Sequence, residues 1–182
     1  ARTRLNALRN SLDHYKFISP QYAFTSKHGD KSIQEASVIS ISSILYGEKI
    51  KRGSVLREYF ISGSLIGRLQ DVGYNGELIQ TAPVGSTGSG SCAGVILYKE
   101  GAIVLTGSWT LGDNSIDYVA STSTTNKWTQ FGDGLHKNIT HNATALSASY
   151  FISYQGVTHT NTMMMMAHAK YAELNHSNNP TY

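Results

Sequence analysis

Along residues 2–15 the apolar positions recur at helical spacing. Leu5, Leu8 and Leu12 are three and four residues apart, which places them on one face of a helix. Arg4, Arg9 and Asp13 then face solvent, and Ser19-Pro20 follows where a helix is expected to stop. A helix this short is marginal alone. Its leucines must therefore dock, either on the chain's own sheet or on a neighbouring subunit.

From residue 36 the pattern changes to strands. Residues 38–45 are a β-branched run mixed with Ser. Val55, Arg57, Tyr59 and Ile61 alternate with Leu56, Glu58 and Phe60. After a Ser62-Gly63-Ser64 break, residues 65–69 resume the strand, and Asn75-Gly76 marks a hairpin whose return arm is 77–81. Residues 82–91 have the composition of a flexible linker. A domain boundary there is disfavoured, because the strands on either side look unable to close a core alone. The clearest hairpin joins 94–98 to 102–106. Both of its arms are apolar throughout, which predicts burial on both faces at the centre of the core, capped by Trp109. Short strands are expected at 118–119 and 127–131. Alternation over 146–154, a Gln155-Gly156 turn and a partner strand over 157–169 complete the sheet. The fold expected is mainly β: an antiparallel β-sandwich or barrel-like domain with a short N-terminal α-helix. Its parts are a helical arm over 1–20, a β domain over 21–170 and an extended tail over 171–182.

Composition narrows the function. Only 15% of the 182 residues are charged, against about 25% in ordinary domains, so the surface is hydroxyl-rich rather than ionic. Fifteen Lys and Arg against twelve Asp and Glu leave +3. Arg2, Arg4 and Arg9 form one basic group, and Lys49, Lys51 and Arg52, beside Glu48, form another. Both are read as solvated surface or interface charges, too sparse for the basic stripe of a nucleic-acid binder. No apolar run of about 18 residues predicts a transmembrane helix. The single cysteine, Cys92, is expected as a small core residue within an apolar run.

Motifs for catalysis are missing. The glycine-rich 85–90 segment has no Lys after it, as a phosphate-binding loop needs, and a strand rather than a helix follows. The seven His form no helical pair, and an approach of His159 and His168 across a bend is the one alternative left open. Glu58, Asp71, Glu77, Glu100 and Asp113 sit mostly at turns, where acids are common. No enzyme activity, metal or cofactor is expected. Residues 163–166 are four consecutive methionines. They read either as a pliable contact surface or as a strand buried on both faces. The expected interface comprises Leu5, Leu8 and Leu12 of the helix, Met163, Met164, Met165 and Met166, and the tail ending at Tyr182. An alternative is a glycan-binding module in which Tyr118, Trp128 and Tyr154 stack on sugars. A second alternative is a glycan depolymerase using the acids.

Several phrases of the chain resemble virion structural proteins of tailed phages, of the kind known from marine and cyanophage genomes. They are Ser43-Ile-Leu-Tyr-Gly-Glu-Lys-Ile-Lys-Arg-Gly-Ser-Val55, Asn75-Gly-Glu-Leu-Ile-Gln80, residues 93–109 and residues 167–182. The resemblance implies a virion component of the tail, baseplate or fibre. Its partners would be further copies of itself or other virion proteins, with a host surface glycan as a possible ligand. Neither nucleic acid nor membrane is implied, and the resemblance carries over no catalytic residue.

Overall fold

A computed structural model gives the fold. It describes residues 2–113, 116, 118, 125–134, 146–166 and 168, with side chains from residue 6 onward. Helix α1 (Arg2–Tyr15) is followed by a 3-10 turn (Pro20–Tyr22) and by a small ribbon of β1 (Thr25–Ser26) and β2 (Gly29–Asp30). Next come β3 (Ser37–Ser40), the single-turn helix α2 (Ser43–Tyr46) and β4 (Lys49–Ile50). The long strands are β5 (Leu56–Ile61), β6 (Ser64–Gln70), β7 (Glu77–Ala82), β8 (Cys92–Leu97) and β9 (Ala102–Leu105). A second 3-10 turn (Trp128–Gln130), β10 (Ala148–Ser153) and β11 (Gly156–Val157) end the described elements. Seven strands form one antiparallel sheet in the order β10-β5-β6-β7-β8-β9-β3, curled into a half-barrel. The fold is the mainly β, barrel-like one with an N-terminal helix that the sequence predicts.

The alternation in β5 sorts its side chains. Arg57, Tyr59 and Ile61 are buried inside the curl, while Leu56, Glu58 and Phe60 lie half-buried outside it. Tyr59 pairs with Gly67 on β6 and with Tyr150 on β10. Gly67 leaves room for a ring: a Cβ there would come within 2.5 Å of the Trp128 indole. Trp128, Phe131, Tyr118 and Leu111 fill the inside of the curl. Tyr59 lies 5.9 Å from Phe131 and 4.9 Å from Tyr150, ring to ring.

β8 and β9 are covered on their outer face as well. Helix α1 and the 3-10 turn after it lie against β8, with Leu12, Tyr15 and Tyr22 buried. Tyr22 stacks on Tyr15 at 5.4 Å and donates its hydroxyl proton to the Ile96 carbonyl at 2.5 Å. Val95, Ile96 and Leu97, and opposite them Ile103, Val104 and Leu105, are all buried. Gly76, with φ at 84°, closes the expected turn and accepts the Ile96 N–H at 2.9 Å. The apolar hairpin is therefore the two-faced core element expected of it. The helix docks on its own sheet.

Four expectations change. Of the expected 157–169 strand, only Val157 among the described residues is in a strand, β11 (Gly156–Val157), which pairs with β4 rather than β10. The turn after β10 carries the chain away from the sheet, so residues 158–166 meet no ladder. Of the expected 127–131 strand, Trp128–Gln130 is a 3-10 turn instead. The β-branched run stops at Ser40, and Ile44 and Leu45 ride exposed on α2. Finally, the linker-like loop joins two paired strands of one sheet, β7 and β8, and is pinned by turns: Ser89 N–H to Ser86 O at 3.0 Å and Gly90 N–H to Gln80 O at 2.8 Å.

Candidate functional site

The surface feature that distinguishes this chain is apolar. Met163, Met164, Met165 and Met166 are 85–96% exposed. Their arm has a fixed root. β11 pairs with β4, Gly47 bridges to Val157, and His159 Nδ1 lies 2.7 Å from the Glu48 carboxylate. That contact and its hydrogen bond hold Glu48 below the usual carboxylate range. Helix α2 packs beside β11 and presents Ile44, 92% exposed, and Leu45, 66% exposed. Large apolar side chains are thus held in water both on α2 and on the arm that leaves β11.

Among the described residues the sheet ends in two edge strands with no further neighbour, β3 and β10. Ser37 and Ile39 from one edge and Tyr150 and Ile152 from the other line a single cavity of about 370 Å³, closed at its base by Thr129 and Phe131. The edges thus face each other across the mouth of the half-barrel. Val38 and Phe151 beside them are half-exposed. Unpaired strand edges offer backbone donors and acceptors to another chain.

Inside the curl the polar groups are organised around two residues. The buried Gln80 amide makes four bonds. Its Oε1 accepts both the Trp109 and Trp128 indole N–H at 2.8 Å, and its Nε2 donates to Ser86 Oγ and the Thr87 carbonyl at 3.0 Å. Arg57 is the opposite case. It is fully buried, its three guanidinium nitrogens have no hydrogen-bond partner among the described residues, and its charge lies 5.1 Å from the Phe131 ring. Burial pulls its pKa down to about 9. An unpaired buried cation is a net cost to folding.

The acids considered for catalysis are mostly occupied elsewhere. Asp71 accepts from the Gly53 and Gly76 N–H groups at 2.7 and 3.1 Å and from the Tyr98 hydroxyl. Glu58 pairs with Arg68, Glu77 takes the Ser19 hydroxyl, and Glu100 takes the Tyr15 hydroxyl at 2.8 Å. Asp113 is exposed. Among the described residues no three His, Cys, Asp or Glu side chains converge as metal ligands. Cys92 is half-buried, and its thiol is pushed up to about 11 by burial, which keeps it protonated.

The residues named from sequence separate into groups. Leu12 is buried in the chain's own core and is not available to a partner, while Leu8 is half-buried against that core. The Leu5 side chain and Tyr182 lie outside the described residues. The methionines are fully presented. Of the three rings expected to stack on sugars, Tyr118 and Trp128 are 1% and 0% exposed and pack inside the curl, and Tyr154 is half-buried against the same core. Full burial leaves Tyr118 and Trp128 no open face for stacking, while Tyr154 keeps part of its surface exposed. Sequence reasoning missed Arg57 and Gln80, since each occupies an inward strand position where a polar residue gives no periodic signal. It also missed Ile44 and Leu45, which sit in a run that reads as a strand.

Fold and surface together define a mainly β protein with a curled sheet, two open edges and a rooted apolar arm. No protein-family model, no curated protein and no solved structure matches the chain.

Proposed function

We propose that the chain is a non-catalytic structural component of a tailed-phage particle, in the tail, baseplate or fibre, and that it works by contact with further copies or other virion proteins. The observation that carries the contact part is the arm: four consecutive methionines at 85–96% exposure, rooted beside exposed Ile44 and Leu45. Burying such side chains is worth about 1.5–3 kcal/mol each, and a partner surface is the place where that free energy becomes available. Methionine suits the task, because its unbranched thioether adapts to irregular surfaces. The virion setting rests on the resemblance of the quoted phrases. The test is a reconstruction of purified particles that contain the chain. The expected density shows the 163–166 arm and α2 covered by a neighbouring chain. Absence from the particles, or an arm left facing solvent there, contradicts the proposal.

A further inference from the structure

The second basic group of the sequence does not end as scattered surface charge. Lys49, Lys51 and Arg52, on and just after β4, meet Lys99 from the β8–β9 turn around one pocket of about 310 Å³. The β4–β11 ribbon, the end of α1 and the β8–β9 hairpin build it, so its walls come from three separate parts of the chain. Among the described residues none of the four cations is ion-paired to a carboxylate. Lys51 Nζ only donates to the amide of Gln155 at 3.0 Å, and the Arg52 guanidinium lies 5.5 Å over the Tyr98 ring. Two acids neighbour these cations in sequence without ion-pairing to them: Glu100 accepts the hydroxyl proton of pocket-lining Tyr15, and Glu48 lies against His159.

Four of the chain's fifteen Lys and Arg residues line this one pocket. Tyr15 and Tyr98 are held rigidly behind it, 5% and 3% exposed, by hydrogen bonds to Glu100 and Asp71. With the ring of Tyr98 covered by Arg52 and that of Tyr15 buried, neither offers a face for a base or a sugar to stack on. What the pocket offers is a group of N–H donors from four cations, none of them ion-paired among the described residues.

We propose that this pocket binds a multiply charged oxyanion, the phosphate or sulfate group of a small ligand. A single carboxylate would leave most of the four cations repelling one another. A group with two or more negative charges neutralises them and accepts several charge-assisted hydrogen bonds at once. The pocket shares the β4–β11 ribbon with the root of the methionine arm, but its anion binding does not depend on the assembly role.

The test is calorimetric titration of the full chain with sodium pyrophosphate and, separately, with a sulfated disaccharide, each against sodium chloride at equal ionic strength. The expected result is saturable binding of at least one ligand. It should weaken at least about tenfold in the double variant Lys49→Gln, Lys99→Gln, which loses two charge-assisted contacts. Lys99→Arg should retain binding, and Lys27→Gln, on the remote β1–β2 turn, should not change it. Pyrophosphate binding without the disaccharide assigns a phosphate source, and the reverse assigns a sulfate source. Removing mutual repulsion should leave the thermal midpoint of the unliganded double variant at or above that of the parent. Failure of both ligands to exceed chloride, or equal binding by the parent and a folded double variant, overturns the proposal.

Discussion

The β8–β9 hairpin and the segment from β10 to the methionine arm are both rich in apolar side chains and both contain tight turns. The hairpin is covered twice, by α1 from outside and by the Trp128–Phe131 segment from inside, and its apolar residues are almost all buried. β10 is covered once, with Tyr150 and Ile152 packed inward and Phe151 outward at 48% exposure. The arm beyond it is not covered at all. Apolar content therefore does not decide which residues hold this chain together; the number of layers that the topology brings over them does. One region supplies the stability of the subunit; the other leaves its apolar side chains in water, where the proposed assembly role would use them.

That division can be broken most forcefully inside the curl. Trp128→Ala removes a fully buried indole that fills the space over Gly67 and donates to Gln80. The expected cost is about 3–5 kcal/mol, seen as a lower urea midpoint at unchanged slope. A loss under about 1 kcal/mol would mean that the inside of the half-barrel is not the stabilising core.

Arg57→Met acts at the same place with the opposite sign. It replaces an unpaired buried cation by an apolar chain of similar length, and the expected gain is about 1–4 kcal/mol. A destabilised variant would show that the guanidinium has a partner worth more than its desolvation.

The buried phenols predict an alkaline limit. Burial pushes Tyr15 and Tyr118 up to about 12, and raises Tyr22, Tyr59, Tyr98 and Tyr150 as well. Above their ordinary value near 10, the unfolded chain releases these protons while the folded chain keeps them, so stability falls as pH rises. Arg57 works the other way between about 9 and its ordinary 12.5, but it is one group against six. Net destabilisation from pH 10 upward, followed by circular dichroism, is the expected outcome. Constant stability to pH 12 would mean that the phenols are solvated.

The smallest effect on folding is expected in the arm. Replacing Met163, Met164, Met165 and Met166 together by Ser should change subunit stability by less than about 0.5 kcal/mol, since these side chains touch little of the core. A larger loss would place the arm inside the fold.

Much of this architecture is legible in the chain. Periodicity places α1, Asn75-Gly76 marks the β6–β7 hairpin, and the two apolar arms of β8 and β9 announce burial on both faces. The illegible parts have a common cause. Four methionines in a row carry no period, so their exposure is decided by the turn at Gln155-Gly156, which sends the chain to β4. Trp128 lies in a polar stretch and reads as a surface ring, yet Gly67, some sixty residues earlier, opens the space that buries it. The basic pocket joins Lys99 to residues 49–52 through tertiary structure alone. Local pattern reports which elements form; which of them acquire a second layer is a long-range property.

The central claim is that the arm and α2 find their cover on another chain. Sedimentation velocity across a wide concentration range tests it directly, with the parent and the four-serine variant side by side. The account predicts that the parent rises well above the 19.8 kDa of one chain as concentration increases, while the variant stays near it. A parent that remains at the mass of a single chain throughout, with its methionines still in water, would contradict the account.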